Sequence, residues 1–180
     1  ILIGLYLTAM RGWLVLALGI LGIASSYFYT APPVQYGYRG LGELSQLINF
    51  SFTIGLGSFY VQAQHITWEP LMVVLPLGFM MFSMITINEI PDEESDRAAG
   101  KRNLVVRFGK KRAIWLYGAG LLAAYLIIAI SPLIEKASYM IYVSLLTFPW
   151  SMKAFRILKS NFLDPVKMSP ANLLTIRIHN

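Results

Sequence analysis

Leu71-Met-Val-Val-Leu-Pro-Leu-Gly-Phe-Met-Met-Phe-Ser-Met-Ile-Thr-Ile-Asn88 is an uncharged run of 18 residues. It leads directly into Glu89-Ile-Pro-Asp-Glu-Glu-Ser-Asp-Arg-Ala-Ala-Gly-Lys-Arg102, which holds five of the nine acidic residues in the chain. Cations follow at once, at Arg97, Lys101, Arg102, Arg107, Lys110, Lys111 and Arg112. A membrane-length apolar segment that opens onto carboxylates and then onto cations suits a bound metal beside a phosphate-rich substrate. It suits a plain lipid anchor poorly.

The rest of the chain repeats the apolar pattern. Of its 180 residues 56% are hydrophobic and 13% charged, which is not the composition of an ordinary soluble domain. Ala113–Ile134 is uncharged over 22 residues, enough to cross a hydrocarbon core of about 30 Å as helix. The spacing predicts spans at roughly 12–29, 43–64, 70–88, 113–133 and 137–152, with part-spans at 1–9 and from about 170. The expected fold is all-α, a multi-spanning transmembrane bundle in one domain covering 1–180. Both ends look like interrupted spans, so the chain reads as truncated at each end. Its first residues do not resemble a signal peptide.

Alternation of these spans places 30–42, 89–112 and 153–169 on one side of the membrane. Twelve of the fifteen Lys and Arg fall there; Arg11 and Lys136 lie opposite, and Arg177 lies in the last part-span. That bias predicts a cell-membrane protein with the 89–112 loop in the cytoplasm. The net charge of +6 is therefore topological, and nucleic acid is not an expected partner. With no cysteine and only His65 and His179, neither a disulfide framework nor a zinc site is expected. His65 and Glu69 fall on the opposite side and are assigned no chemistry.

The connector Tyr29–Glu43 contains two prolines and three glycines, so it is not one continuous helix. It shares a side with 89–112, and the two loops are expected to roof a pocket together. Ser45, Gln46, Asn49, Ser51 and Thr53 are costly against lipid and are expected to face neighbouring helices or a wet cavity.

Asn88, Asp92 and Asp96 are spaced i, i+4, i+8, which brings side chains to one face of a helix at offsets of about 40°. Oxygen ligands on one face are what Mg²⁺ accepts, with substrate phosphates completing the shell. Pro91 interrupts that register, so the pair Asp92 and Asp96 is the firmer expectation. The competing reading is an acidic first turn that complements a helix dipole, with the cations as membrane-surface anchors.

Asn88-x-x-Pro91-Asp92-x-x-x-Asp96, followed by Gly100-Lys101-Arg102-Asn103-Leu104-x-Val106-Arg107-x-Gly109, resembles the second aspartate-rich motif of the UbiA-type intramembrane prenyltransferases. Tyr29-Thr30-x-Pro32-Pro33 with Tyr38-Arg39-Gly40-Leu41-Gly42-Glu43 resembles the connector after the family's fourth span. Tyr60-Val61-Gln62 and Trp68-Glu69 look most like the branch that prenylates dihydroxynaphthoate in menaquinone synthesis. The resemblance implies a nine-helix fold, of which this chain supplies six to seven spans or part-spans. It also implies Mg²⁺ held between two aspartate-rich motifs, the first of which is absent here. This chain alone is therefore expected to be inactive.

The implied reaction is transfer of a polyprenyl group from an isoprenyl diphosphate to an aromatic ring. The implied metal ligands are Asn88, Asp92 and Asp96. Lys101, Arg102 and Arg39 are expected to pair with diphosphate oxygens, and Tyr29 to wall the reacting centre, with Tyr36, Tyr38 and Tyr60 as further wall candidates. Hydroxybenzoate and other UbiA-type acceptors remain alternatives, as do a transporter and a non-catalytic membrane scaffold.

Overall fold

A computed structural model describes residues 1–67, 69–134 and 138–179. Trp68 and Lys136, which carried part of the branch resemblance and of the charge bias, lie outside the described residues. Among those described, all regular structure is helical. In chain order the helices are α1 (Leu2–Arg11), α2 (Trp13–Thr30), α3 (Gly42–Ile48), α4 (Gly57–Ala63), α5 (Glu69–Glu89), α6 (Glu93–Ala98), α7 (Leu104–Phe108), α8 (Lys110–Ile134), α9 (Phe148–Asn161) and α10 (Pro165–His179). A π-helical segment, Asn49–Leu56, joins α3 to α4, and 3-10 segments cover Tyr36–Arg39 and Tyr139–Thr147.

Helices α2, α5 and α8 are long and apolar enough to cross a membrane. At 21 residues α5 reaches about 31 Å, and it lies centrally, against the π-helical segment, α3 and α8. Side chains at these contacts are small because the backbones come close. A Cβ on Gly78 of α5 would sit 2.0 Å from the Ser51 Oγ, and one on Gly120 of α8 would sit 2.3 Å from the Ser83 Oγ. Ser83 also donates to the Tyr117 carbonyl at 3.1 Å, a polar tie between α5 and α8 of the kind that replaces the hydrophobic effect in lipid.

The predicted span 43–64 is helical from 42 to 63, but its middle is wound as a π-helix. Two predicted boundaries differ more. The segment 153–169, expected as a loop, is largely helix α9 and the start of α10. Ser151, Ala154 and Leu158 are buried at helical spacing while Lys153, Arg156 and Lys159 are exposed, so the basic residues form the outer face of an amphipathic helix. Within the predicted span 137–152, Tyr139–Thr147 is the 3-10 segment, which runs into α9, and Ala137 lies outside the described residues.

The main core lies beneath the 89–109 region. Ile87, Ile90, Val105, Ala113, Tyr117, Leu158, Met168 and Ala171 form one buried cluster. Ile90 and Val105 thereby anchor both ends of the acidic–basic loop to the bundle. Tyr117 reaches α10 through a 2.7 Å hydroxyl contact with Thr175, and Asn172 of α10 donates to the Asn88 Oδ1 at 2.8 Å.

Candidate active site

The connector 31–41 and the loop 99–109 meet, as alternation of the spans requires. The Arg102 N–H donates to the Tyr38 carbonyl at 2.8 Å. The Arg107 guanidinium donates to the Arg102 carbonyl at 2.8 Å and, across 68 residues of chain, to the Arg39 carbonyl. Gly40, at φ 74°, makes this clasp possible. A Cβ there would lie 2.6 Å from the Arg102 oxygen and 2.7 Å from the Arg107 Nε. Beneath the clasp, the fully buried Glu43 accepts the Leu104 N–H at 2.6 Å, at the start of α7.

Asp96 is the buried carboxylate of the acidic motif. Its oxygens take the Lys101 Nζ at 2.6 Å and the Asn103 Nδ2 at 2.8 Å. The hydrogen bond to Asp96 is the main cause that raises the Lys101 ammonium above its ordinary pKa, with burial opposing. Asn103 has a second task, since its Oδ1 accepts the Val106 N–H at 2.8 Å and caps α7.

Pro91 ends α5 at Glu89, and α6 starts afresh at Glu93. Asn88 therefore sits on α5, exposed and bonded to Asn172, while Asp92 and Asp96 share the following turn. The Asp96 N–H donates to the Asp92 carbonyl at 2.8 Å. The Asp92 carboxylate is exposed and has no hydrogen bond or ion pair among the described residues.

Among the described residues no three His, Cys, Asp or Glu side chains gather as a metal-holding group. Mg²⁺ does not demand three, because it takes one or two carboxylates and keeps waters or phosphate oxygens. The donor set fits that pattern. Asp92 is unengaged, and each Asp96 oxygen carries one hydrogen bond where it has two lone pairs.

Of the expected diphosphate ligands, the Arg102 side chain is exposed and free of hydrogen bonds among the described residues, and Lys101 is paired with Asp96. With Arg97 and Arg107 they line a basic recess of about 530 Å³. Arg39 instead turns its guanidinium back to the Pro33 carbonyl at 2.7 Å.

Tyr29 lies edge-on to Tyr36 at 5.5 Å and packs on Gly37, and its hydroxyl is 3.0 Å from where a Gly42 Cβ would be. It thus stands at the foot of α3, beside Glu43. Tyr38 is 5.7 Å below the Lys101 ammonium. Tyr60 is elsewhere; it donates to the Arg11 carbonyl at 3.3 Å, at the far end of α2, and walls no part of this site.

Glu43 and Glu89 are the residues that spacing did not single out. The two carboxyls lie close together, and Oε2 of each is buried without a hydrogen bond. A signal existed, because Glu43 opens one apolar segment and Glu89 closes another, and alternation brings those ends to the same side.

A 2-carboxy-1,4-naphthoquinone phytyltransferase of Synechocystis is 28% identical over 94% of this chain and 55% of its own length. The 1,4-dihydroxy-2-naphthoate octaprenyltransferase of Escherichia coli is 32% identical over 90% of this chain and 52% of its own. The enzyme of that name from Bacillus subtilis is 28% identical over 87% and 50%. The chain spans about half the length of the curated relatives it matches. No solved structure matches it. The UbiA prenyltransferase family matches residues 1–172, essentially the whole bundle together with both clasped loops, and the chain belongs to that family.

Proposed function

We propose that this chain is part of an enzyme that transfers a polyprenyl group from an isoprenyl diphosphate to an aromatic ring, with dihydroxynaphthoate as acceptor. The observation that carries the reading is one loop. It presents Asp92 and Asp96 on a single turn and Lys101 and Arg102 immediately after, clasped against the connector that bears Tyr29. The names of the relatives favour the naphthoate over hydroxybenzoate.

Asp92 and Asp96 would hold Mg²⁺, with Asn88 at the end of α5 as a further oxygen donor. When bound, the ion supplies charge neutralisation for the departing diphosphate. Arg102 offers a free planar fork to phosphate oxygens, and Lys101 a point charge already oriented by Asp96. Arg39 would join them by leaving the Pro33 carbonyl. In the transfer, the allylic C–O bond would break with its electron pair leaving on the diphosphate, a C–C bond to a ring carbon would form, and that carbon would lose its proton as H⁺ or its carboxylate as CO₂. Water competes for the allylic carbon, so the wall there must be dry. Tyr29, which borders a cavity beside the connector, would supply aromatic surface there. The enzyme would sit in the cell membrane with 89–112 facing the cytoplasm, as the cation bias indicates.

The test is prenyl transfer by the intact protein in membranes, comparing Asp92→Ala and Asp96→Ala with the parent. Loss of product by about 100-fold or more in both is expected. Undiminished Mg²⁺-dependent product in both would remove them from the metal site.

A further inference from the structure

A groove of about 340 Å³ runs between α8 and α9, and none of the residues assigned to the reaction lines it. Gly118, Ala119 and Leu122 form one wall, and Phe148, Met152 and Phe155 the other. Trp115 stands exposed at one end, with the Lys159 ammonium 5.0 Å from its ring centroid. We propose that this groove binds an anionic phospholipid, with one acyl chain between the helices and the phosphate on Lys111 and Lys159. The inference goes beyond the prenyl-transfer reading and does not depend on it.

The sequence lays down two matching stripes. On α8, Lys111, Trp115, Gly118, Leu122 and Tyr125 recur at offsets of three and four and share one face. On α9, Phe148, Met152, Phe155 and Lys159 do the same. Each stripe is apolar along its length and cationic at one end. The contact of Lys159 with Trp115 puts both cations at the same end of the groove. From Trp115 to Tyr125 the helix rises about 15 Å, half of a hydrocarbon core of about 30 Å. That is the depth of one leaflet, and so of one acyl chain.

The interior of the groove suits hydrocarbon. A Cβ on Gly118 would lie 2.6 Å from the Phe155 Cε2, so the bare glycine lets Phe155 pack directly on the α8 backbone. Phe155 also meets Trp115, with ring centroids 5.6 Å apart. The hydroxyls at the inner end are already engaged. Tyr125 contacts the Ser151 Oγ at 2.6 Å and the Thr147 Oγ1 at 2.7 Å. An acyl chain beside them therefore strands no polar group.

Charge selects the headgroup. Lys110, Lys111 and Arg112 open α8, while α9 carries Lys153, Arg156 and Lys159, and neither helix contains a carboxylate. Lys111 and Lys159 are exposed and have no ion pair among the described residues. A lysine that only anchors a helix at the membrane surface extends its ammonium into water. Lys159 is instead held against the Trp115 ring, at the mouth of the apolar groove, with N–H groups left for phosphate oxygens. A zwitterionic headgroup would bring a cation of its own to this basic end, and an anionic one does not.

The experiment uses the intact protein in nonionic detergent and measures bound lipid by native mass spectrometry. Dioleoylphosphatidylglycerol and dioleoylphosphatidylcholine are titrated separately. The parent is expected to bind the phosphatidylglycerol about tenfold more tightly or better. The double variant Lys111→Gln/Lys159→Gln should bring the two lipids within about twofold. Ala119→Trp, which fills the groove from an exposed position and leaves the lysines in place, should weaken phosphatidylglycerol binding by about tenfold. Equal affinity of the parent for both lipids would overturn the proposal. A preference undiminished in the double glutamine variant would overturn it too, by assigning the lipid to another basic surface. Full binding by Ala119→Trp would show that no acyl chain enters the groove. Displacement of the phosphatidylglycerol by farnesyl diphosphate would give the groove to the substrate instead.

Discussion

The Glu43 carboxylate accepts the Leu104 N–H at 2.6 Å across 61 residues of sequence, so the start of α3 holds the start of α7. Glu43 is fully buried, and this bond fixes where the 99–109 loop meets the bundle. Glu43→Ala removes the acceptor and leaves a buried N–H unpaired, a cost of about 1–3 kcal/mol. Glu43→Gln keeps a carbonyl for Leu104. The expected order of thermal midpoints in detergent is parent, then Glu43→Gln, then Glu43→Ala. Equal midpoints for parent and Glu43→Ala would show that the bond carries no stability.

Glu89 tests the same cluster from the other side. Its Oε2 and that of Glu43 are both buried without a donor. Glu89→Gln introduces an NH₂ beside an acceptor that lacks one. We expect it to match or exceed the parent in thermal midpoint, by up to about 1 kcal/mol of stability. Glu89→Ala, which leaves a void beside Glu43, should fall below both. The reverse order would show that the missing donor costs the fold nothing.

Gly40 is the third point. Its φ of 74° and the 2.6 Å separation between a hypothetical Cβ and the Arg102 oxygen leave no room for a side chain. Gly40→Ala is expected to open the Arg107 clasp, with a loss of about 1–3 kcal/mol and faster proteolysis within 99–109. Arg107→Lys, which keeps the charge but lacks the fork that spans two carbonyls, should share the protease sensitivity. Parent-like digestion of both would show that the clasp does not order the loop.

Asp164 supplies a pH test away from the site. It accepts the N–H groups of Val166 and Lys167, each at 3.1 Å, and pairs with the Lys167 ammonium at 3.2 Å. Hydrogen bonds from Lys167 hold its pKa below the usual carboxylate value. A lowered folded pKa gives stability that is present above the unfolded value, about 3.9, and is lost as pH falls through the folded one. The thermal midpoint of Asp164→Ala should therefore lie below the parent's at pH 5–7, and the two should converge as the pH falls through the folded value. A gap that persists unchanged at low pH would show that the carboxylate's charge contributes nothing to capping α10.

The long apolar segments and the paired loops were legible in the sequence because both rest on composition and alternation. Pro91 signalled the broken register of Asn88 against Asp92 and Asp96, and the structure places a turn there. What spacing did not reveal depends on backbone detail. Nothing in the run 43–64 marks a π-helix at Asn49–Leu56, since the same residues fit an α-helix equally well. Lys153, Arg156 and Lys159 counted correctly as basic but not as helical, because charge bias reports the side of the membrane and not local conformation. The Arg107 clasp was hidden for another reason. Its acceptors are carbonyls of Arg39 and Arg102, and backbone oxygens leave no trace in residue identity.

Central to the account is the reaction itself. The most direct measurement supplies the intact protein, in membranes, with an isoprenyl diphosphate and an equimolar mixture of 1,4-dihydroxy-2-naphthoate and 4-hydroxybenzoate, with and without Mg²⁺. The account predicts prenylated naphthoate in excess over prenylated benzoate, and neither without the metal. Product formed equally well without Mg²⁺, or formed from the benzoate alone, would contradict it.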